Sequence, residues 1–280
     1  MAIITISRGT MSGGEELANC LSEKLGWPAI SREIIVDTAS QYGVSESFLI
    51  QQIKKSPTII ERIAGEKRVY LSAIQTTLAQ RAREGDFIYH GNAGHFLLKG
   101  LANVLKVRII APLEYRINRL VEKENLTPKE AKSYIENIDK QRVQWTKFLY
   151  GKDWRDPSLY DMVINIKDIS IPMACEIIVH TVNLPKFRET QEGKKDRENF
   201  YLACLVKSKL ALNEKTRGMD LEVQVSDDRV KITGKFYTSG PFPRGIKRSK
   251  NDIIEVIQEL SEIKDKDIKI EIESLAVPIE

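Results

Sequence analysis

The sequence predicts an α/β fold, a parallel β-sheet with helices on both faces, followed by a small C-terminal α+β unit of order α-β-β-α-β. Three observations predict it. Over residues 1–185, short apolar runs of strand length alternate with longer segments of helical period, and strands separated by helices imply a parallel sheet covered on both sides. The first run, Ile3-Ile4-Thr5-Ile6-Ser7-Arg8, ends in the turn Gly9-Thr10-Met11-Ser12-Gly13-Gly14 and passes directly into a helix-forming segment. A hydrophilic stretch at 186–197 then separates a tail of different pattern, and a linker or an exposed helical extension is expected there.

The elements follow in order. The first strand covers residues 3–8 and the first helix 15–25. Gly26-Trp27-Pro28 breaks the pattern, and Ser31 reads as the N-cap of a helix over 32–42. Ser45 caps another over 46–55, which Pro57 ends. Val69, Ile74, Leu78 and Ala82 keep helical spacing through 66–84, and Gly85 suits the position after that helix. A second strand is expected at 86–90, followed by the turn Gly91-Asn92-Ala93-Gly94-His95, and a third at 104–110. Residues 113–124 form a helix carrying Arg116 and Arg119. Thr127 and Glu130 make a capping box for a long helix to about Tyr150. A fourth strand at 161–166 and a helix at 171–181 complete the domain. In the tail, a helix at 199–212 precedes strands at 220–225 and 229–236, a helix at 251–261 and a strand at 268–272. The domain boundaries read 1–185, 186–197 and 198–280.

The 280 residues are 42% hydrophobic and 29% charged, with no apolar run near the roughly 20 residues of a spanning helix. No signal peptide is legible, and a cytoplasmic protein is expected. Residues 1–197 hold 29 Lys and Arg against 24 Asp and Glu, while 198–280 hold 14 against 15. That surplus fits a phosphate ligand and is too small to imply nucleic acid. Cys20, Cys175 and Cys204 have no metal spacing and read as small buried hydrophobes. No metal site is expected.

Strand, Gly-rich turn and helix N-terminus together make an anion cradle. Free amides of the turn and first helical turn point at the ligand, and the helix dipole favours negative charge. Gly13 and Gly14 let a phosphate approach the main chain. The loop departs from the Walker pattern, since Gly14 stands where a Lys would reach the terminal phosphates and Glu15 where a hydroxyl would meet magnesium. Arg8 reads as a phosphate contact or a surface ion pair. His95 reads as a capping or partly buried residue; Trp145, Trp154 and Tyr160 read as packing. The two Gly turns, at strand carboxyl ends, are expected to face one cleft.

Residues 1–185 resemble the cytidylate kinase-like branch of the P-loop nucleoside monophosphate kinases. The resemblance rests on Ile6-Ser7-Arg8 with Ser12-Gly13-Gly14, Ser31-Arg32-Glu33-Ile34-Ile35, Gly91, Ala111-Pro112 with Arg116, Asp139-x-x-Arg142, Tyr150-Gly151-x-Asp153-Trp154 and Tyr160-Asp161-x-Val163-Ile164-Asn165. It implies a P-loop kinase-like fold and transfer of a phosphoryl group from ATP, with Mg2+, to CMP or dCMP. By that resemblance Arg8, Gly9, Thr10, Ser12, Gly13, Gly14 and Gly91 would bind nucleotide phosphates, and Arg32 would reach the acceptor phosphate. Arg116 and Arg142 would stabilise transferred charge, with Asp139 orienting Arg142. The family often carries Arg where Glu15 stands and Gly-Arg-Gly where Gly91-Asn92-Ala93 stands. Glu15 beside a triphosphate costs on the order of a few kcal/mol at an effective dielectric of about 20. Nucleotide binding with weak or absent catalysis is therefore expected. The tail resembles a BON-type domain, on element order and Val230-x-Ile232-x-Gly234. That likeness implies an alternative, a regulatory or interaction protein meeting a protein or membrane surface. Arg244, Lys247, Arg248 and Lys250 beside Phe242 would touch an anionic partner, or form a solvated loop.

Overall fold

The computed structural model describes residues 1–31, 64–91, 93–217, 219–238 and 245–276. The helices expected at 32–42 and 46–55, together with Arg32, Asn92, Phe242 and Arg244, lie outside the described residues. The rest falls into two compact units, 1–31 with 84–190, and 64–83 with 191–276.

The first unit is built on five parallel strands: β1 (Ile3–Arg8), β2 (Ala29–Ser31), β3 (Phe87–His90), β4 (Val104–Ile110) and β5 (Met162–Asn165), in the order β2-β3-β1-β4-β5. β1 lies at the centre. Ile6 pairs with His90 of β3 and Ser7 with Arg108 of β4. Four strands were expected. Ala29–Ser31 is the fifth, and Ser31 belongs to it. The helices of this unit are α1 (Gly14–Leu25), α3 (Gly94–Leu97), α4 (Leu113–Glu124), α5 (Pro128–Tyr150) and α6 (Ile171–Val182), while α2 (Ala64–Glu84) falls almost wholly in the second unit.

Alternation along the strands decides what each face meets. Ile4 and Ile6 of β1 and Leu105, Val107 and Ile109 of β4 pack with Leu17 and Leu21 of α1 and with Ala174, Cys175 and Ile178 of α6. Each fully buried Leu contributes about 1.5–3 kcal/mol. Thr5 and Ser7 alternate with that apolar set, and Ser7 meets the Tyr160 hydroxyl at 3.0 Å. The Thr127–Glu130 capping box forms with both reciprocal bonds, Thr127 amide to Glu130 at 2.9 Å and Glu130 amide to the Thr127 hydroxyl at 3.3 Å.

The second unit has its own core around Val206, Val230, Ile232, Ile253 and Ile257. Its elements are α7 (Gln191–Leu212), β6 (Asp220–Val225), β7 (Arg229–Thr238), α8 (Ile246–Ile257) and β8 (Asp267–Ala276), which keep the order α-β-β-α-β. β7 is central, antiparallel to β6 and parallel to β8. Part of the hydrophilic stretch is helical, since α7 begins at Gln191. α2 packs here, with the Thr76 hydroxyl donating to the Cys204 carbonyl at 3.0 Å and Arg83 stacked 4.2 Å from the Tyr201 ring. Among the described residues no helix is long and apolar enough to cross a membrane.

Candidate functional site

The loop after β1 takes its shape from two left-handed residues, Met11 (φ 61°) and Gly13 (φ 84°). The Ser12 amide donates to the Gly9 carbonyl at 3.2 Å and tightens the turn. Gly13 caps α1 without a side-chain bond. An α-helix leaves its first N–H groups without internal acceptors, and here these belong to Gly14, Glu15 and Glu16. No acceptor is found for the Gly13 and Gly14 amides among the described residues.

Asp139, on α5, ties this loop to two helices. Its Oδ1 accepts the Thr10 amide at 3.1 Å and the Thr10 hydroxyl at 3.0 Å. Its Oδ2 pairs with Arg116 of α4, whose Nε donates to the Thr10 carbonyl at 2.6 Å. Arg142 lies 3.5 Å from Oδ1 and donates to the Arg8 carbonyl at 3.2 Å. One carboxylate thus meets two guanidinium groups, an amide and a hydroxyl. Charge-assisted bonds of this kind are the strong class. Asp139 therefore orders the loop as well as Arg142.

In front of the loop opens a cavity of about 420 Å3, lined by Arg8, Thr10, Ser12, Gly13, Gly14 and Arg142 with Met11, Glu15, Glu16, Arg119, Glu122 and Lys123. Of the residues expected to bind or catalyse, Arg8, Thr10, Ser12, Gly13, Gly14 and Arg142 meet in it. Gly9, Arg116 and Asp139 do not line it; Arg116 and Asp139 hold the loop through Thr10. Gly91 follows β3, its amide donates to the Ile6 carbonyl at 3.3 Å, and it does not line the cavity either. Arg8 reaches His90 Nδ1 at 3.2 Å. Glu122 and Lys123 were missed; their spacing from Arg119, three and four residues on, puts all three on one face of α4.

Glu16 and Arg119 form an ion pair on the cavity wall, with 48% and 25% of their side chains exposed. The pair holds a cation that would otherwise face the anion. Glu16→Gln is expected to release Arg119 and raise the affinity of the cavity for inorganic pyrophosphate severalfold, as read by calorimetry at low salt, with little change in melting temperature.

His95 of α3 is 7% exposed, and its ring packs 4.0 Å from Phe96 and 4.7 Å from Tyr160. Burial, with Lys106 adding to it, lowers its pKa to about 4. The unfolded chain protonates this group near 6.5, so stability is fully present above that pH and is lost as pH falls toward 4. The loss is about 3 kcal/mol at one pKa unit per 1.36 kcal/mol. His95→Phe is expected to flatten the fall in melting temperature between pH 6.5 and 4.

Central strand, Gly turn and helix N-terminus on a parallel sheet make this a P-loop kinase-like fold. Residues 3–168 match the model of the Cytidylate kinase-like family. A cytidylate kinase of Ignicoccus hospitalis is 28% identical over 185 residues, covering 65% of this chain and 97% of that protein. One of Methanothrix thermoacetophila is 30% identical over 165 residues, covering 58% and 87%. A solved structure of an uncharacterized protein from Eubacterium ventriosum shares the fold at a TM-score of 0.50 and 21% identity, covering 65% of this chain and 98% of that one. The chain belongs to the Cytidylate kinase-like family.

Proposed function

We propose that the protein binds a nucleoside triphosphate in the cavity before the β1 loop and transfers its terminal phosphoryl group, slowly, to a cytidine monophosphate. The observation that carries this is the convergence of Arg8, Arg142 and the open amides of Gly13 and Gly14 on that cavity. An acceptor phosphate oxygen would attack the γ-phosphorus, the β–γ bridging P–O bond would break, and the nucleoside diphosphates of donor and acceptor would leave. Such catalysis is positioning plus charge neutralisation. Arg142, anchored to the Arg8 carbonyl, would neutralise transferred charge. The donor set also fits Mg2+, which takes one or two protein oxygens and completes its shell with phosphate and water. The Ser12 hydroxyl and the Glu15 carboxylate would hold it, and it would neutralise the donor phosphates when bound.

The rate is slow in this proposal because Gly14 stands where a Lys would reach the donor phosphates, and Glu16 and Glu122 share the wall with the cations. The same wall favours a second reading, a nucleotide-responsive protein without turnover. ADP release from ATP, Mg2+ and CMP, together with melting temperatures over a nucleotide series, separates the two readings. Bound ligand raises the melting temperature whether or not chemistry occurs. Turnover with stabilisation supports the kinase, and stabilisation alone supports the second reading. Absence of both overturns the site. For residues 198–280 the BON-like reading remains a proposal, tested by liposome flotation and pull-down with the full chain.

A further inference from the structure

α1 and α6 pack side by side in the first unit, and each carries a cysteine. Cys175 of α6 is fully buried, while Cys20 of α1 is half-buried and packs against the same apolar cluster. Two contacts bracket them. At the amino ends, Ile171, four residues before Cys175, lies against Gly13. Further on, Lys24, one turn beyond Cys20, pairs with Glu176, the residue after Cys175. Between these contacts the Cys20 side chain is a hydrogen-bonding neighbour of the Cys175 thiol.

Side chains at this interface are small: Ala18 and Cys20 on one helix, Ala174 and Cys175 on the other. Packed helices lie about 8–10 Å apart between axes, with Cα atoms roughly 2.3 Å off each axis. Facing residues of a close pair therefore bring their Cα atoms within the ~4.4–6.8 Å that a disulfide spans. Cys175 alone is a poor nucleophile, since burial and the Cys20 thiol push its pKa up to about 12. Cys20 is the accessible member, and Lys24 stands one turn away on the same face of α1. A partly exposed thiol near a cation is the reactive kind. Cys204 is the internal contrast: it lies in the core of the second unit, 5% exposed, and burial pushes its thiol up to about 12 as well.

We propose that Cys20 and Cys175 are a dithiol switch: hydrogen peroxide converts them to a disulfide that weakens anion binding at the turn of residues 9–14, and a thiol reductant reverses it. The Cys20 thiolate attacks one peroxide oxygen, the O–O bond breaks, and the departing hydroxide takes up the proton that Cys20 gave up. The Cys175 sulfur then attacks the sulfur of the Cys20 sulfenic acid. The S–S bond forms, the S–O bond breaks, and the leaving hydroxide takes the Cys175 proton. Two thiols lose two electrons, and one peroxide is reduced to two waters. Bonding shortens the sulfur separation to about 2.05 Å and draws α6 toward α1. Ile171 moves with α6 and presses on Gly13, where the Cβ position is only 2.7 Å from Ile171 Cδ1. The bond itself needs nothing from the transfer reading of the previous subsection; its effect on binding rests on the anion cradle of that reading.

The test treats the full chain with hydrogen peroxide, counts its free thiols and maps its peptides without reduction. Calorimetry reads ATP affinity before oxidation, after it, and after dithiothreitol. A Cys20–Cys175 link is expected, with two of the three thiols lost and Cys204 retained. ATP binding should weaken about tenfold, as the loss of one charged hydrogen bond does, and dithiothreitol should restore it. Cys20→Ser should melt and bind ATP as wild type does and keep that affinity under peroxide. A wild type that keeps all three thiols, or that oxidises Cys20 only to a sulfinic acid, overturns the proposal. So does a link that leaves ATP affinity unchanged, which makes the bond a structural staple. An equal loss of affinity in Cys20→Ser overturns it too, because the damage then lies elsewhere. If the reduced wild type binds no ATP, the cradle reading fails first and the switch falls with it, even where the link forms.

Discussion

Replacing Asp139 with alanine is expected to lower the melting temperature by about 5–10 °C and turnover by about a hundredfold. The carboxylate faces Arg116 and Arg142 and accepts from the Thr10 amide and hydroxyl. Its removal leaves two guanidinium groups facing each other without a counter-ion and two donors without an acceptor. Breaking a fully buried pair costs about 3–5 kcal/mol. Asp139 keeps 22% of its side chain exposed, so about 2–3 kcal/mol is the expected loss, at roughly 2–4 °C per kcal/mol for a domain of this size. Turnover falls further because Thr10 and Arg142 lose their fixed positions, and small misplacements are expensive in rate. Inorganic phosphate adds a control. It should raise the melting temperature of Asp139→Ala more than that of wild type, because an anion can then occupy the vacated donors. An Asp139→Ala protein as stable as wild type, with unchanged turnover, would show that the loop needs no such tie.

The second large effect is expected at Gly13. Its φ of 84° is a left-handed backbone, and a Cβ there would meet Ile171 Cδ1 at 2.7 Å and Arg119 at 3.2 Å. Left-handed backbone costs a non-glycine residue roughly 1–2 kcal/mol, and β-branching raises that. Gly13→Val should therefore lower the denaturation midpoint and weaken ATP binding by tenfold or more, at about 1.4 kcal/mol per factor of ten. Gly14→Ala is the contrast. Gly14 has no positive φ, and its new methyl would displace only the flexible Arg8 side chain. Stability near wild type with weakened ATP binding is expected, because Arg8 is pushed from the cavity. Urea titration and calorimetry read the two effects separately.

Local patterns were legible where one residue class repeats at one period. The strand at 104–110 and the helix at 113–124 coincide with β4 and α4, because alternation and helical spacing were unbroken. The Thr127–Glu130 box announced α5 by its chemistry. β2 was not legible, as three residues carry no alternation and Ser31 resembles a cap. α8 starts at Ile246, five residues before the expected helix, because Lys247, Arg248 and Lys250 read as a loop when they form the polar side of an amphipathic helix. At the candidate site, the turn between β1 and α1 could be read from its glycines. The tie between Thr10 and Asp139, 129 positions apart, has no local signature. Arg108 sits inside a strand pattern, where a cation looks like an ordinary solvent-facing residue; its burial comes from Trp154 and Tyr160, far along the chain.

The helix at Ala64–Glu84 bears on how this chain can be dissected. Ala79 sits in the same core as Tyr201 and Leu210, and Arg83 pairs with Glu198 at 2.7 Å. A polypeptide ending at residue 190 would keep that helix and lose the surface it was made for, leaving an oily flank open to aggregation. This helix belongs to the same compact unit as residues 191–276, so the tail cannot be exchanged as a cassette without it.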